Sequence, residues 1–198
     1  MLETTKQPPQ IVIISGPNGA GKSTTAKALL RDILEMTTYV NADTIAAGLS
    51  AFHPEDVAIE AGRITLKWLH HLAEKQADFA FETTLSSRSY AQWVQQQKQK
   101  GYQCQLVFLW LDSPRLAVQR VKERVGSGGH NIPENTIYRR YRKGIQNFFD
   151  LYQKIADNWT VYDNSIYANP VLIAKGKLEK VLELPQPELW KQFCEAKL

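Results

Sequence analysis

The sequence predicts an α/β protein with a doubly wound, mostly parallel sheet of five strands, flanked by helices and followed by a C-terminal hairpin. Short apolar runs alternate with longer stretches rich in helix-forming residues, which is typical of strand–helix–strand units. A chain of 198 residues is long enough for one such domain with a hydrophobic core and is short for two. We therefore expect a flexible tail at 1–10 and a single domain at 11–198.

The first half of the chain predicts two strand–helix units. Residues 11–14 are an unbroken apolar run that ends in Ser-Gly, as in a strand buried on both faces, and a helix is predicted from Lys22 to about Leu34. A short strand and a polar corner follow, and then a brief helix that ends at Gly48. Pro54 is expected to open a long helix that reaches Gln76.

The second half continues the alternation. Strands are predicted at 77–84, 106–112 and 158–165, and helices are predicted before Gly101, after Ser113 and from Pro133. Residues 171–184 predict a hairpin that turns at Lys175-Gly176, and a terminal helix is expected at the periphery.

The composition predicts an ordinary globular protein that handles an anionic ligand. The net charge of +4 and the pI near 9.0 suit a nucleotide, a sugar phosphate or a nucleic acid without choosing among them. No apolar run approaches the roughly 18 residues of a membrane span, and the polar N-terminus is unlike a signal peptide. We therefore expect a cytoplasmic protein with no membrane partner.

The cysteines and histidines predict neither a disulfide nor a zinc site. Cys104 and Cys194 have no CxxC spacing and are expected to be reduced and structural. The histidines lack metal-ligand spacing. His130 alone is a candidate for function, as a residue of a lid near phosphate.

The strongest motif is a complete Walker A loop between a predicted strand and a predicted helix. Its glycines let successive backbone N–H groups point at phosphate oxygens, while Lys22 neutralises the β and γ groups and Ser23 ligates Mg²⁺. The loop predicts a P-loop NTPase that binds ATP or GTP with Mg²⁺. The residues expected to bind the nucleotide are Gly16, Pro17, Asn18, Gly19, Ala20, Gly21, Lys22, Ser23 and Thr24.

The loop does not by itself predict a transporter-type ATPase, because that class also needs a signature of the LSGGQ kind and a strand that ends in Asp-Glu, and neither is present. Asp112 ends the fourth predicted strand. It is interpreted either as a group that holds Mg²⁺ through water or as a cap of the helix at Ser113.

A phosphotransferase needs a carboxylate that accepts the proton of the acceptor hydroxyl. Asp43 follows the second predicted strand at the edge of the sheet where the Walker A loop lies, although it could also cap the next helix. Glu82 closes the third strand at the same edge, where it could bind Mg²⁺, orient the acceptor or serve structure alone. Asn41, Thr83 and Thr84 add polar groups suited to a polar acceptor.

The arginines beyond the fourth strand predict a lid at about 120–140. Arg120 and Arg124 share one helix face, where they repel unless an anion lies between them, and the glycine-rich segment 126–130 follows. A solvated basic face is the alternative. The later basic helix, with Arg139, Arg140 and Arg142 beside two tyrosines, is interpreted as a solvated face with core aromatics in preference to a nucleic-acid patch.

With GPNGAGKST (16–24), VNADTIAAGL (40–49), AFETTLSS (80–87) and RVKERVGSGGH (120–130) in this order, the chain resembles the zeta-toxin family of P-loop kinases over about 11–175, closest to a small bacterial branch. The resemblance implies that Lys22 binds ATP and that Asp43 activates the 3′-hydroxyl of UDP-N-acetylglucosamine. Glu82 and Thr84 would help to place magnesium and sugar. Lid arginines would stabilise the phosphoryl group: Arg120 first, then Arg124, Arg139 or Arg140.

The main hypothesis is therefore an ATP- and Mg²⁺-dependent kinase with a small-molecule acceptor, and the resemblance makes a sugar nucleotide the leading candidate. It also implies a separate antitoxin protein that blocks the nucleotide site. The alternatives are a polynucleotide or nucleoside kinase and a nucleotide-dependent switch protein with little turnover.

Overall fold

A mixed sheet forms the centre of the computed structural model, which describes residues 7–32, 36–129, 131–166 and 169–197. Its strand order is β2-β3-β1-β4-β5-β6-β7, in which β1 to β5 are parallel and β6 and β7 are antiparallel. The five predicted parallel strands are confirmed, and the hairpin extends the same sheet to seven strands. The strands are β1 Gln10–Ser15, β2 Tyr39–Val40, β3 Phe79–Thr83, β4 Gln103–Trp110, β5 Asn158–Asp163, β6 Val171–Lys177 and β7 Lys180–Glu183.

Helices connect and flank these strands. They are α1 Lys22–Asp32, α2 Ala42–Leu49, α3 Ala58–Glu74, α4 Ser89–Gln99, α5 Pro114–Gly126, α6 Glu134–Asn147, a π-helical turn Phe148–Tyr152, α7 Gln153–Ile155 and α8 Pro187–Glu195. The predicted end of the first helix near Leu34 lies outside the described residues. None of the helices in the described part of the chain has the length and apolar character that a membrane span requires.

The predicted start of α3 at Pro54 is wrong by four residues. The Asp56 N–H donates to the His53 carbonyl at 3.2 Å and the Ala58 N–H to the Glu55 carbonyl at 3.3 Å, which are the bonds of tight turns. The regular helix begins only at Ala58.

The predicted hairpin turn is also misplaced. The chain turns between Lys177 and Lys180, and Gly176 lies inside β6. A Cβ at Gly176 would stand 2.1 Å from a ring carbon of Trp159, so this position needs glycine to let the indole pack on the strand.

The core explains why the strands read as apolar runs. Ile11 to Ile14 of β1 are at most 1% exposed, because β1 is an interior strand of a parallel sheet that is flanked by helices. The terminal helix, predicted to be peripheral, contributes Phe193 to this core, with its ring 5.3 Å from those of Phe108 and Phe148. The parallel strands thus present their carboxyl ends at one rigid edge, where the Walker A loop begins.

Burial of Cys104 in β4 predicts a loss of stability at alkaline pH. The thiol is free and inaccessible, and burial raises its pKa from 9.0 to about 12. Above pH 9 the unfolded chain releases this proton while the native chain keeps it. The free energy of unfolding should therefore fall between pH 9 and 12, by about 1.4 kcal/mol per pH unit from this group. Urea unfolding from pH 8 to 11 measures the slope, and Cys104→Ala should lack this component; parallel curves for the two proteins would contradict the assignment.

Candidate active site

The Walker A loop has the curled backbone that a phosphate cradle needs. Gly16, Gly19 and Gly21 have φ angles of 139°, 78° and 78°. A Cβ at Gly16 would lie 2.2 Å from the Leu109 carbonyl oxygen. The loop therefore leads into α1 with its N–H groups at the helix N-terminus, where anions bind.

A cavity of about 470 Å³ lies against this loop. It is lined by Asn18, Gly19, Gly21, Lys22, Ser23, Thr24, Asp43, Glu82, Arg120, Glu123, Arg124 and Ser127. We call it the nucleotide cavity. Of the other predicted loop residues, Gly16 packs against β4, Ala20 is fully buried and the Pro17 carbonyl accepts a hydrogen bond from Lys22.

Lys22 is buried at the bottom of the nucleotide cavity, with 8% of its surface exposed. Its Nζ donates to the Pro17 carbonyl at 3.0 Å and lies 3.8 Å from Glu82 Oε1. Burial lowers the pKa of Lys22, while the carboxylates of Glu82 and Asp43 oppose this shift by favouring the charged ammonium. A cation held in this way at a helix N-terminus suits phosphate oxygens.

Glu82 is fixed by three hydrogen bonds to one carboxylate oxygen. Its Oε2 accepts from Ser23 Oγ at 2.9 Å, from Asn41 Nδ2 at 2.8 Å and from the Tyr39 hydroxyl. Parallel pairing of β1 with β3 places Glu82 opposite Ile14, one residue before the end of β1. Glu82 therefore lies at the edge of the sheet where the Walker A loop begins, within hydrogen-bond distance of Ser23. Carboxylate and hydroxyl oxygens are ligands that Mg²⁺ prefers, so Ser23 and Glu82 fit this ion.

Tyr39 is a site residue that sequence reasoning missed. Burial and the neighbouring Glu82 carboxylate raise the pKa of Tyr39, which keeps its hydroxyl protonated as a donor. Tyr39 pairs with Ala80, two positions before Glu82 on the neighbouring strand, so both side chains belong to one face. Its role depends on the pairing of β2 with β3, which the sequence did not reveal.

Asp43 is not the cap of α2, because Asn41 has that role. Asn41 Oδ1 accepts the N–H groups of Asp43 at 2.8 Å and Thr44 at 3.3 Å. The alternative that Asp43 serves as the cap is therefore wrong. Its carboxylate is exposed and borders the nucleotide cavity.

Two more cavities meet the nucleotide cavity at Asp43. The first, of about 180 Å³, lies at the end of β3 and is lined by Asn18, Lys22, Asn41, Ala42, Asp43, Glu82, Thr83, Thr84, Tyr90 and Arg140; we call it the β3 pocket. The second, of about 520 Å³, lies between α2, the start of α3 and the lid, and includes Ala47, Ala51, Ala58, Arg124 and Arg140; we call it the α2–α3 groove. The predicted acceptor residues Asn41, Thr83 and Thr84 thus share one pocket with Asp43.

Arg120 joins the lid helix to the sheet. Its guanidinium donates to the carbonyls of Asn164 and Ser165, both at 2.8 Å, and it also borders the nucleotide cavity. Asn164 in turn donates from Nδ2 to the Ala20 carbonyl at 2.8 Å. Arg120 thereby ties α5 to the segment that supports the Walker A loop.

The candidates for the second lid arginine differ in position. Arg124 lines the nucleotide cavity and the α2–α3 groove, and Arg140 lines the groove and the β3 pocket. Arg139 is exposed and lines none of the three cavities. Backbone bonds from Gly129 and Gly128 to α5 fold the glycine-rich loop back over Arg124. His130 lies outside the described residues.

The remaining predictions concern Asp112 and the basic helix. Asp112 is exposed and does not cap α5; the cap is Ser113, whose Oγ accepts the Leu116 N–H at 3.3 Å. On α6, Tyr141 is buried and donates to the Leu111 carbonyl at 2.6 Å, while Arg142 is exposed. The interpretation as a solvated face therefore fits Arg139 and Arg142, whereas Arg140 is partly buried and lines two of the cavities.

Comparison with known proteins assigns the chain to a family. The model of the family described as Zeta toxin matches residues 2–170. An uncharacterized protein of Haemophilus influenzae is 30% identical over 130 residues, which are 66% of this chain and 91% of that relative.

Solved structures show the same fold. A chain of the AvrRxo1-ORF1:-ORF2 complex with ATP aligns with a TM-score of 0.74 and 14% identity, covering 98% of this chain and 65% of that one. This chain therefore spans slightly less than two thirds of its length. A chain of the PezAT chromosomal toxin–antitoxin system of Streptococcus pneumoniae aligns with a TM-score of 0.63 and 15% identity, covering 98% and 85%. The Zeta toxin family model matches residues 2–170, which are most of the 198 residues of this protein, so the protein belongs to the zeta toxin family.

Proposed function

We propose that the protein is an ATP- and Mg²⁺-dependent kinase that transfers the γ-phosphoryl group to a hydroxyl of a small molecule, with UDP-N-acetylglucosamine or a related sugar nucleotide as acceptor. Membership of the zeta toxin family and the P-loop kinase fold support an ATP-dependent phosphotransferase. The sugar nucleotide is supported by the motifs VNADTIAAGL and AFETTLSS.

The position of Asp43 carries the proposal. Its carboxylate borders the nucleotide cavity on one side and the β3 pocket and α2–α3 groove on the other. Because Asn41 caps α2, the Asp43 carboxylate is not needed for the helix and can accept a proton. A base at the junction of a phosphate cavity and an acceptor cavity is what a kinase requires and a nucleotide switch does not.

In the proposed reaction the acceptor hydroxyl transfers its proton to Asp43 as its oxygen bonds to the γ-phosphorus. The bond from that phosphorus to the β–γ bridging oxygen breaks, and ADP leaves with the bonding electrons. Lys22 and Arg124 neutralise the charge of the phosphoryl oxygens in the nucleotide cavity. Ser23 and Glu82 would hold Mg²⁺, which neutralises the β- and γ-phosphates when bound.

Phosphorus NMR tests the proposal. Purified protein with Mg-ATP and UDP-N-acetylglucosamine should give ADP and a new phosphomonoester signal, which should not form when either the protein or the sugar nucleotide is omitted. Persistent ATP, or free phosphate alone, would contradict the sugar-nucleotide acceptor, and persistence with every acceptor tried would favour the switch protein.

Tyr39→Phe should lower the affinity for Mg²⁺, so that nucleotide binding needs a higher Mg²⁺ concentration. Loss of its hydroxyl removes one of the three donors that orient Glu82 at Ser23. Loss of such a supporting hydrogen bond typically costs about 10–100-fold in metal affinity. Binding of a fluorescent ATP analogue, titrated with Mg²⁺ and repeated in EDTA, measures the effect without an acceptor.

The matched control is Tyr102→Phe, which removes a buried hydroxyl that donates to the Ala77 carbonyl at 2.8 Å, away from the site. Its Mg²⁺ titration should match the wild type. Equal titrations for all three proteins would contradict a positioning role for Tyr39.

A separate antitoxin protein is proposed as partner, because the PezAT structure is that of a toxin–antitoxin system and the chain shares its fold and family. Such a partner would compete with ATP for the nucleotide cavity. Native mass spectrometry of the protein from its own cells should show a heteromeric complex whose amount falls as ATP is added, and a complex indifferent to ATP would contradict this mode of inhibition.

A further inference from the structure

Asn164 contacts the Walker A loop from outside the nucleotide cavity. It directly follows β5 and is only 6% exposed. Gly21 lines the nucleotide cavity, whereas Asn164 does not. The Asn164 Nδ2 donates a hydrogen bond of 2.8 Å to the Ala20 carbonyl. The buried amide therefore holds the loop from the side that faces the end of β5.

This hydrogen bond fixes the orientation of the peptide group between Ala20 and Gly21. The peptide is trans, so its carbonyl and its N–H point in opposite directions. Because Asn164 holds the carbonyl outside the cavity, the Gly21 N–H points toward the cavity that Gly21 lines. A peptide turned the other way would present a carbonyl oxygen, which repels phosphate. The bond to Asn164 therefore favours the orientation that binds an anion.

The Gly21 N–H is available for a ligand. The preceding N–H, of Ala20, donates to the Pro17 carbonyl at 3.2 Å, but within the part of the chain that the structure describes the Gly21 N–H has no acceptor. Gly21 also lets the amide approach, since a Cβ there would lie 2.8 Å from Asn164 Nδ2. The loop and the Asn164 side chain thus fit each other closely.

The main chain of Asn164 is held independently of its side chain. Its N–H donates to the Trp110 carbonyl at 2.9 Å, and its carbonyl accepts from Arg120 Nη1 at 2.8 Å. These bonds connect the residue to the end of β4 and to the lid helix α5. A change of side chain at this position therefore removes the bond to Ala20 and leaves the main-chain bonds in place.

The side-chain oxygen of Asn164 shows that the amide is not explained by packing. Its Oδ1 is buried and has no hydrogen-bond partner among the residues that the structure describes. A buried polar atom in this state destabilises the fold and calls for an explanation. An apolar side chain of the same shape would avoid this cost. The bond from Nδ2 to Ala20 gives the amide its role.

We propose that Asn164 is a positioning residue of the phosphate cradle, whose Nδ2 turns the Gly21 N–H toward the phosphates of the bound nucleotide. It acts through the Walker A loop, because it lies outside the nucleotide cavity. The inference rests on the nucleotide binding in the proposed function and is independent of the identity of the acceptor.

Asn164→Leu tests the inference, and Asn147→Leu is its matched control. Leucine has the branched shape of asparagine without the donor. Asn147 is also 6% exposed, and its Nδ2 donates to the Leu85 carbonyl at 2.6 Å, but it lines none of the three cavities. The probe is Mg-ADP, titrated by calorimetry and into ¹⁵N-labelled protein in which the Gly21 amide resonance is followed by NMR.

Asn164→Leu should raise the dissociation constant of Mg-ADP by about tenfold or more, as expected for a lost hydrogen bond to a charged group. Asn147→Leu should stay within about twofold of the wild type. The Gly21 amide proton should move to lower field with ADP in the wild type and in Asn147→Leu, and by less in Asn164→Leu. Urea unfolding shows that each variant is folded. Asn164→Ala, which removes the donor without adding bulk, replaces Asn164→Leu if the latter does not fold.

The outcomes separate this inference from the proposed function. Wild-type ADP affinity and a wild-type Gly21 shift in Asn164→Leu would overturn the inference. Equal losses in Asn164→Leu and Asn147→Leu would also overturn it, because a loosened fold would then explain both. A loss confined to Asn164→Leu, in a protein that transfers no phosphoryl group, would support the positioning role and contradict the kinase activity. A wild type that binds no ADP would contradict both.

Discussion

Asp43→Asn is expected to abolish detectable phosphoryl transfer while the affinity for ATP stays at the wild-type value. The substitution keeps the size of the side chain and the backbone N–H that Asn41 accepts, so α2 should remain capped. It removes the group that accepts the hydroxyl proton, and general bases contribute about 10²–10⁴-fold to rate. Phosphorus NMR for transfer and analogue binding for affinity measure the two expectations separately.

Asp112→Asn is the matched control for this prediction. Asp112 follows β4, is exposed and lies outside the residues that line the nucleotide cavity. If it held Mg²⁺ through water, as the sequence alone allowed, its replacement would also reduce transfer. We expect activity within about twofold of the wild type, as for most exposed positions. Transfer by Asp43→Asn above a tenth of the wild-type rate would exclude Asp43 as the base.

The parts of the fold and site that sequence reasoning predicted depend on neighbours along the chain. The apolar run of β1 and the glycines of the Walker A loop are local patterns, and each fixes its own backbone conformation. The edge that carries Asp43 and Glu82 was also predictable, because parallel strands bring their carboxyl ends together. Local pattern and sheet topology thus define the nucleotide cavity.

The parts that were missed depend on contacts between distant segments. Gly176 looks like a turn residue, yet its lack of a side chain serves the packing of Trp159. Tyr39 is a site residue because β2 pairs with β3, which brings its hydroxyl within hydrogen-bond distance of Glu82. The spacing of arginines could not separate Arg140 from Arg139, because only the packed orientation of α6 shows which one faces Asp43.

Lys22→Met is expected to reduce phosphoryl transfer by at least about 100-fold, since loss of one preorganised group that stabilises the transition-state charge costs about that much. Folding should survive the change. Methionine is a flexible apolar side chain that suits a buried position, and Glu82 keeps its hydrogen bonds from Ser23, Asn41 and Tyr39. Analogue binding and steady-state transfer measure the loss, and a cooperative urea transition shows that the variant is native.

The pH dependence of the free energy of unfolding shows whether burial of the Lys22 ammonium destabilises the fold. Because burial lowers the pKa of Lys22 below its ordinary 10.5, the unfolded chain binds more protons than the native chain between the two values. Stability from this group must therefore rise with pH in that interval. The free energy of unfolding of the wild type, measured relative to that of Lys22→Met, should therefore increase as the pH approaches 10.5. A constant difference between the two proteins would mean that Glu82 and Asp43 fully offset the burial of the ammonium, and the lysine would then be retained without cost to the fold.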